Sequence, residues 1–287
     1  MMFELRKLFI LLVLTSHSFS CEDVIEVDTP TTPPRLTIDA LVRVDSNNPT
    51  TKITVKAGVT SSFFADVEPT SLDQVVLLNP DYIPTSASDA TAIPLTEVAP
   101  GIYEGEKDTK FFTEGELQLT LEHDGQRYLA MTRYARSSRI DNIEQGDNSL
   151  FSENDKEIKI SFSDDGSINN FYLFDFGRGD YLVTEDEFYQ GQTFSFSYFI
   201  EDGVGRIVDV ALLGVDEPFY NYMNQLIVQA GGDQGPFQTT AATVRGNIIN
   251  ITDIDNINSF DNVENSNNFA LGYFAVCETF EASIVLE

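Results

Sequence analysis

Apolar residues recur at every second position through long stretches of this chain, a spacing that leaves few folds open. Leu36, Ile38, Ala40 and Val42 alternate with Thr37, Asp39, Leu41 and Arg43. Successive strand side chains point to opposite faces, so the first set belongs to one buried face of a sheet. Ile53 and Val55 resume the pattern after Ser46-Asn47-Asn48-Pro49, which predicts a turn between paired strands. Leu117, Leu119 and Leu121 share a face of Glu116 to Glu122, and His123-Asp124-Gly125-Gln126 leads into Tyr128-Leu129-Ala130-Met131. An Asp-Gly between two such runs predicts a hairpin, because both turn residues must tolerate positive φ.

A second series begins near Ile140, with Ile158, Ile160 and Phe162, the turn Asp164-Asp165-Gly166-Ser167, then Phe171-Tyr172-Leu173-Phe174. Strands again dominate. One segment breaks the rule: Asp216 can cap a helix with Pro218 in its first turn, and Phe219, Tyr222, Met223, Leu226, Ile227 and Ala230 keep helical spacing until Gly231-Gly232. Val244, 247–251, 269–276 and 282–286 are further strand candidates. The expected fold is mainly β: an immunoglobulin-like β-sandwich over 35–136, then a second β-rich domain over 137–287 with one packed α-helix at about 217–230.

The N-terminus carries an export signature. Arg6-Lys7 precede the apolar run Leu8-Phe9-Ile10-Leu11-Leu12-Val13-Leu14, and small polar residues follow as far as Ser20-Cys21. This is the layout of a secretory signal over 1–20. The run is too short for a membrane-spanning helix, which needs roughly 20 apolar residues. Cleavage before a cysteine marks a lipoprotein, with the Cys21 thiol receiving the lipid. Ser18 stands where a lipobox prefers Leu, so plain secretion is the alternative. Residues 21–34, with Glu22, Asp23, Glu26, Asp28 and Thr29-Pro30-Thr31-Thr32-Pro33-Pro34, read as an extended acidic and proline-rich tether.

The formal charge is −29, and removing Glu4, Arg6 and Lys7 (net +1) with the signal leaves −30. Nucleic acid and anionic lipid are therefore poor partners. The cysteines are Cys21 and Cys277, so a lipid on Cys21 excludes an internal disulfide. Cys277 then reads as a small buried hydrophobe, with Glu278 and Glu281 expected to raise its pKa. His123 is the one histidine left after the signal, and beside an Asp-Gly turn it reads as exposed, which leaves nothing from which to assemble a Ser/His/Asp or Cys/His centre or a histidine zinc site. Glycoside hydrolysis needs two carboxylates at a suitable separation, and among 46 acidic residues no pair stands out. The chain has no tryptophan for sugar stacking. The Asp/Asn-rich run 253–268 offers hard oxygen ligands for calcium, but Ile257 falls on an EF-hand ligand position and no central glycine follows. Phe63-Phe64, Tyr181, Phe188-Tyr189 and Phe194, Phe196, Tyr198 and Phe199 give aromatic density. Phe194, Phe196 and Tyr198 alternate with serines, as a core-facing strand would.

Several segments together resemble a family of Bacteroidota lipoproteins known as domain of unknown function 4249. They are Cys21-Glu22-Asp23-Val24-Ile25 with its tether, Leu36-Thr37-Ile38-Asp39-Ala40, Gly101-Ile102-Tyr103, Ile140-Asp141-Asn142-Ile143, Ile160-Ser161-Phe162, Asn170-Phe171-Tyr172, Val244-Arg245-Gly246-Asn247-Ile248 and Leu271-Gly272-Tyr273-Phe274. The resemblance implies an outer-membrane lipoprotein, lipid-anchored and facing the cell exterior, that partners a TonB-dependent transporter. It carries over no catalytic residue and no cofactor. The expected role is a non-enzymatic nutrient-capture or lid accessory. A structural or adhesive envelope protein is the alternative, and a carboxylate-dependent hydrolase a third reading.

Overall fold

The computed structural model describes residues 34–61, 67–86, 89–149, 155–201, 205–230, 243–252, 254 and 268–287. The expectations for the signal, Cys21, the tether up to Pro33, Phe63-Phe64 and nearly all of the 253–268 run lie outside the described residues.

The mainly β expectation holds. The first half supplies β1 (Leu36–Val44), β2 (Thr50–Val59), β3 (Glu68–Pro69), β4 (Gln74–Leu78), β5 (Ala92–Pro94), β6 (Thr96–Ala99), β7 (Ile102–Asp108), the short helix α1 (Thr109–Thr113), β8 (Glu116–His123) and β9 (Gln126–Ala135). The second half supplies β10 (Ile140–Gln145), β11 (Asp155–Ser163), β12 (Phe171–Asp175), β13 (Tyr181–Glu185), β14 (Thr193–Glu201), β15 (Ile207–Val215), α2 (Glu217–Ala230), β16 (Ile249–Asn250) and β17 (Leu271–Val285).

Alternation becomes burial as the spacing requires. In β1 the even-numbered residues from Leu36 to Val44 are buried, whereas Asp39 and Arg43 are exposed. The sheet runs β5-β4-β8-β9-β17-β1-β2-β7-β6 and is sandwich-like: Ile38, Val42, Ile53 and Val55 share one core with Val75, Leu77, Leu117, Leu119 and Leu121. The predicted hairpin forms between β8 and β9, with Asp124 at φ 49° and Gly125 at φ 72°. β10, β11 and β14 form a separate three-stranded sheet. Its Ile158, Ile160 and Phe162 pack with Tyr172, Phe174, Val210 and Leu212 of β12 and β15. The Phe162 ring lies 5.1 Å from Tyr172, 5.6 Å from Phe174 and 6.0 Å from Phe194, so burial there is reinforced by edge-to-face aromatic contacts. Phe194, Phe196 and Tyr198 pack against this core, in keeping with their alternation.

β17 links the two halves. Its first part runs parallel to β1, from Thr37 opposite Leu271 to Val44 opposite Glu278, and meets β9 at Val276 and Cys277. Its second part pairs antiparallel with β15. Ile248, Ala270, Phe274 and Val276 accordingly belong to the first core, on the far side of the expected boundary at 136/137 in sequence, and Pro34–Glu287 form one compact unit.

Helix α2 starts where the sequence places it. Asp216 Oδ1 accepts the Phe219 N–H at 2.8 Å, which satisfies a free amide of the first turn. Its buried face, Phe219 and Met223, covers Leu173, Leu213, Tyr273, Ala275 and Cys277 on the outer side of the sheet. Helix α1 has no counterpart in the sequence pattern. Asp108 caps it through the Lys110 N–H, and Phe111 and Phe112 anchor it in the core. Five residues are too few to display a helical period.

Candidate functional site

The outward face of β1 forms the floor of an apolar groove. Thr37, Asp39 and Leu41 point away from the sandwich core, beside Gly58 and Lys56 of β2 and Leu271 and Tyr273 of β17. One wall is α2, through Tyr222 and Leu226; the opposite rim is Val67, Pro69, Pro100 and Ile102. The depression over β1 and β2 encloses about 530 Å³, and the one beneath α2 about 240 Å³. They share Ile38, Asp39, Tyr222 and Gly272, so Tyr222 stands between two compartments of one groove. Small-molecule sites typically span about 300–1,000 Å³ with mostly apolar walls and few polar groups, a description this groove meets.

Backbone constraints hold the floor and rim. Gly272 has φ 98°, and a Cβ there would lie 1.8 Å from the Ile38 carbonyl oxygen, so β1 and β17 approach closely because residue 272 lacks a side chain. Gly246 packs in turn on the Gly272 carbonyl. The Asn247 amide donates to the Phe274 carbonyl at 2.8 Å, and its oxygen accepts the Phe274 N–H at 2.8 Å. Gly246 and Asn247 thus brace the 272–274 stretch, of which Gly272 and Tyr273 line the groove. At the rim, Glu97 accepts the Gly101 N–H at 2.9 Å, and the Gly101 carbonyl accepts the Ala57 N–H at 2.7 Å.

The aromatic wall is itself packed. The Tyr222 and Tyr273 rings are 4.9 Å apart, and Phe219 lies 4.7 Å from Tyr273. Burial raises the pKa of the Tyr222, Tyr273 and Tyr181 phenols, and nearby carboxylates push the same way: Asp39 on Tyr222, Asp216 on Tyr273 and Asp175 on Tyr181. At neutral pH all three are neutral hydroxyls, able to donate or accept. Among the described lining residues the charged ones are Asp39 and Lys56, which pair at 3.3 Å with side chains 62% and 64% exposed. A pair so exposed holds little energy and yields readily to a ligand.

Of the residues singled out from the sequence, Tyr181 lines the compartment beneath α2, whereas Cys277 and His123 lie outside the groove. Cys277 is buried, as expected, and burial pushes its thiol up; the contributing carboxylate is Asp216 rather than Glu278 or Glu281. Glu278 instead accepts the Ser137 N–H at 2.9 Å. His123 is not the exposed turn residue expected: it ends β8, its side chain is 16% exposed, and Nδ1 sits 3.2 Å from the Ser71 carbonyl. Strand β8 carries it onto the neighbouring 71–73 segment, a contact that a turn motif does not reveal. Among the described residues no group of three or more His, Cys, Asp or Glu is placed to hold a metal, and no helix is long and apolar enough to cross a membrane. A smaller hollow of about 200 Å³ on the β10-β11-β14 sheet is lined by Glu144, Lys159, Ser161, Ser195 and Ser197.

The groove leaves partial traces in the sequence. Leu41 is apolar on a face that otherwise carries Thr37, Asp39 and Arg43, and Phe274-Ala275-Val276-Cys277 is an unbroken apolar run. Both are signs of a strand covered on both faces. No family model matches the chain, and no curated protein matches it.

Proposed function

We propose that this chain is a lipoprotein of the outer membrane, anchored through Cys21 and facing the cell exterior, that acts as a non-enzymatic nutrient-capture or lid accessory of a TonB-dependent transporter. The observation that supports its binding role is the groove: an open, largely apolar depression walled by Tyr222 and Tyr273, with the Asp39–Lys56 ion pair on its floor. Such a surface suits binding rather than bond cleavage. Among the described lining residues the carboxylate is Asp39, which already faces Lys56, whereas hydrolysis of a glycoside requires two acids across a cleft. Membership of the domain-of-unknown-function 4249 family, which the chain resembles in sequence, is part of the same proposal, as is an immunoglobulin-like identity for the first-half sandwich.

Co-purification from native outer membranes in mild detergent tests the reading. A stoichiometric β-barrel partner is expected; recovery of the chain without any barrel contradicts it. The adhesive alternative draws on two exposed apolar side chains, Phe188 at 84% on the 3-10 turn Asp186–Phe188 and Ile168 at 51%, whose carbonyl accepts from the Gln190 side chain. Loss of attachment with unchanged nutrient growth on deletion would favour it.

A further inference from the structure

From the shape and charge of the groove we infer that its ligand is an elongated apolar molecule bearing one cationic amine, with its body along α2 and its charge at Asp39. This rests on the binding reading above and names the class of molecule bound.

Three observations carry it. The groove offers two adjoining compartments, of about 530 and 240 Å³, which share Asp39, Tyr222 and Gly272. Its walls are Leu41, Leu226, Ile102 and Val67 with the Tyr222 and Tyr273 rings, which bury hydrocarbon and whose π faces attract a cation. Lastly, the chain carries a net charge of −29, so its field concentrates cations and repels anions at any open site. Within that field Asp39 is the carboxylate among the described lining residues, and its side chain is 62% exposed, so an amine can reach it. Lys56 swings aside at little cost, because its 3.3 Å pair with Asp39 is solvent-screened and its own side chain is 64% exposed. A ligand carboxylate could use Lys56 only against the net charge of the whole molecule.

The test is calorimetric titration of the full chain with decylammonium, decanol and decanoate below their aggregation concentrations, and with methylammonium as a cation lacking an apolar body. Saturable binding tightest for decylammonium, weaker for decanol, weakest for decanoate and absent for methylammonium is expected. Leu226→Trp and Ile102→Trp fill opposite walls, and each should weaken decylammonium about tenfold or more, roughly the effect of 1.4 kcal/mol. Two walls are tested so that a variant failing to fold, as judged by circular dichroism, does not decide the matter. Asp39→Asn should weaken decylammonium by about threefold to fivefold, the scale of an exposed ion pair, and leave decanol unchanged. Asp124→Asn, the same charge change at the distant β8–β9 turn, should alter neither. Tightest binding of decanoate, identical effects of Asp39→Asn and Asp124→Asn, or no saturable binding of decylammonium would overturn the inference. Binding in this assay without a barrel partner in membranes would sink the transporter role alone, and a barrel partner without decylammonium binding would sink this inference alone.

Discussion

Replacing Gly272 with alanine should damage the fold far more than a single methyl group suggests. Two costs combine. At φ 98° an L residue is strained by about 1–2 kcal/mol. The added Cβ would also lie 1.8 Å from the Ile38 carbonyl oxygen, 2.7 Å from its carbon and 3.0 Å from its nitrogen, all backbone atoms of β1 with no flexible end to yield. Overpacking of this kind costs about 1–3 kcal/mol, so the total is roughly 2–5 kcal/mol. Gly177 provides the control. It has φ 78°, and a Cβ there would meet nothing within 4 Å, so Gly177→Ala should cost only the strain, about 1–2 kcal/mol. Urea unfolding followed by circular dichroism measures both, and each kcal/mol should also lower Tm by roughly 2–4 °C in a chain of this size. Equal costs at the two glycines would refute the close β1–β17 approach on which the groove floor depends.

Asp216→Ala should lose about 1 kcal/mol of helix capping, whereas Asp216→Asn keeps the acceptor for the Phe219 N–H and removes a partly buried charge. Burial raises the Asp216 pKa, so its stabilising contribution is present in acid and is lost as pH rises through the folded-state value. The Asn variant should therefore lose less stability than the parent as pH rises from acid to neutral, read as urea midpoints. Asp89 behaves oppositely: the Lys107 ammonium, the Thr85 N–H and the Tyr82 hydroxyl hold its carboxyl well below the usual range. Its contribution is present above an unfolded value of about 3.9 and is lost as pH falls toward the folded one, so Asp89→Asn should flatten the acid limb of the stability profile. Phe162→Ala should cost about 3–5 kcal/mol, since a fully buried ring with four aromatic neighbours leaves a cavity that strands cannot close. Cys277 should resist maleimide in the folded chain and react promptly once unfolded, which mass spectrometry resolves.

Local patterns carry the strands and the long helix because each is determined by spacing within a few residues. Alternation at Leu36 to Val42, the Asp124-Gly125 turn and the Asp216-Pro218 start all appear in the structure as read. What spacing cannot show is which strands meet. The parallel pairing of β1 with β17 joins residues more than 230 positions apart, and it is this pairing that lays Tyr273 beside Asp39. The groove is therefore a product of topology, with Leu41 and the apolar run at 274–277 as its local traces. His123 illustrates the converse: its turn is legible, but its contact with Ser71 depends on a neighbouring segment 52 residues away.

Lipid anchoring at the cell surface is tested most directly by intact mass analysis of the mature N-terminus, on protein extracted from outer membranes of whole cells after surface proteolysis. The expected result is a chain that begins at an acylated Cys21 and is cleaved by protease added outside the cells. An unacylated chain beginning elsewhere and recovered in soluble form would contradict the proposed anchoring.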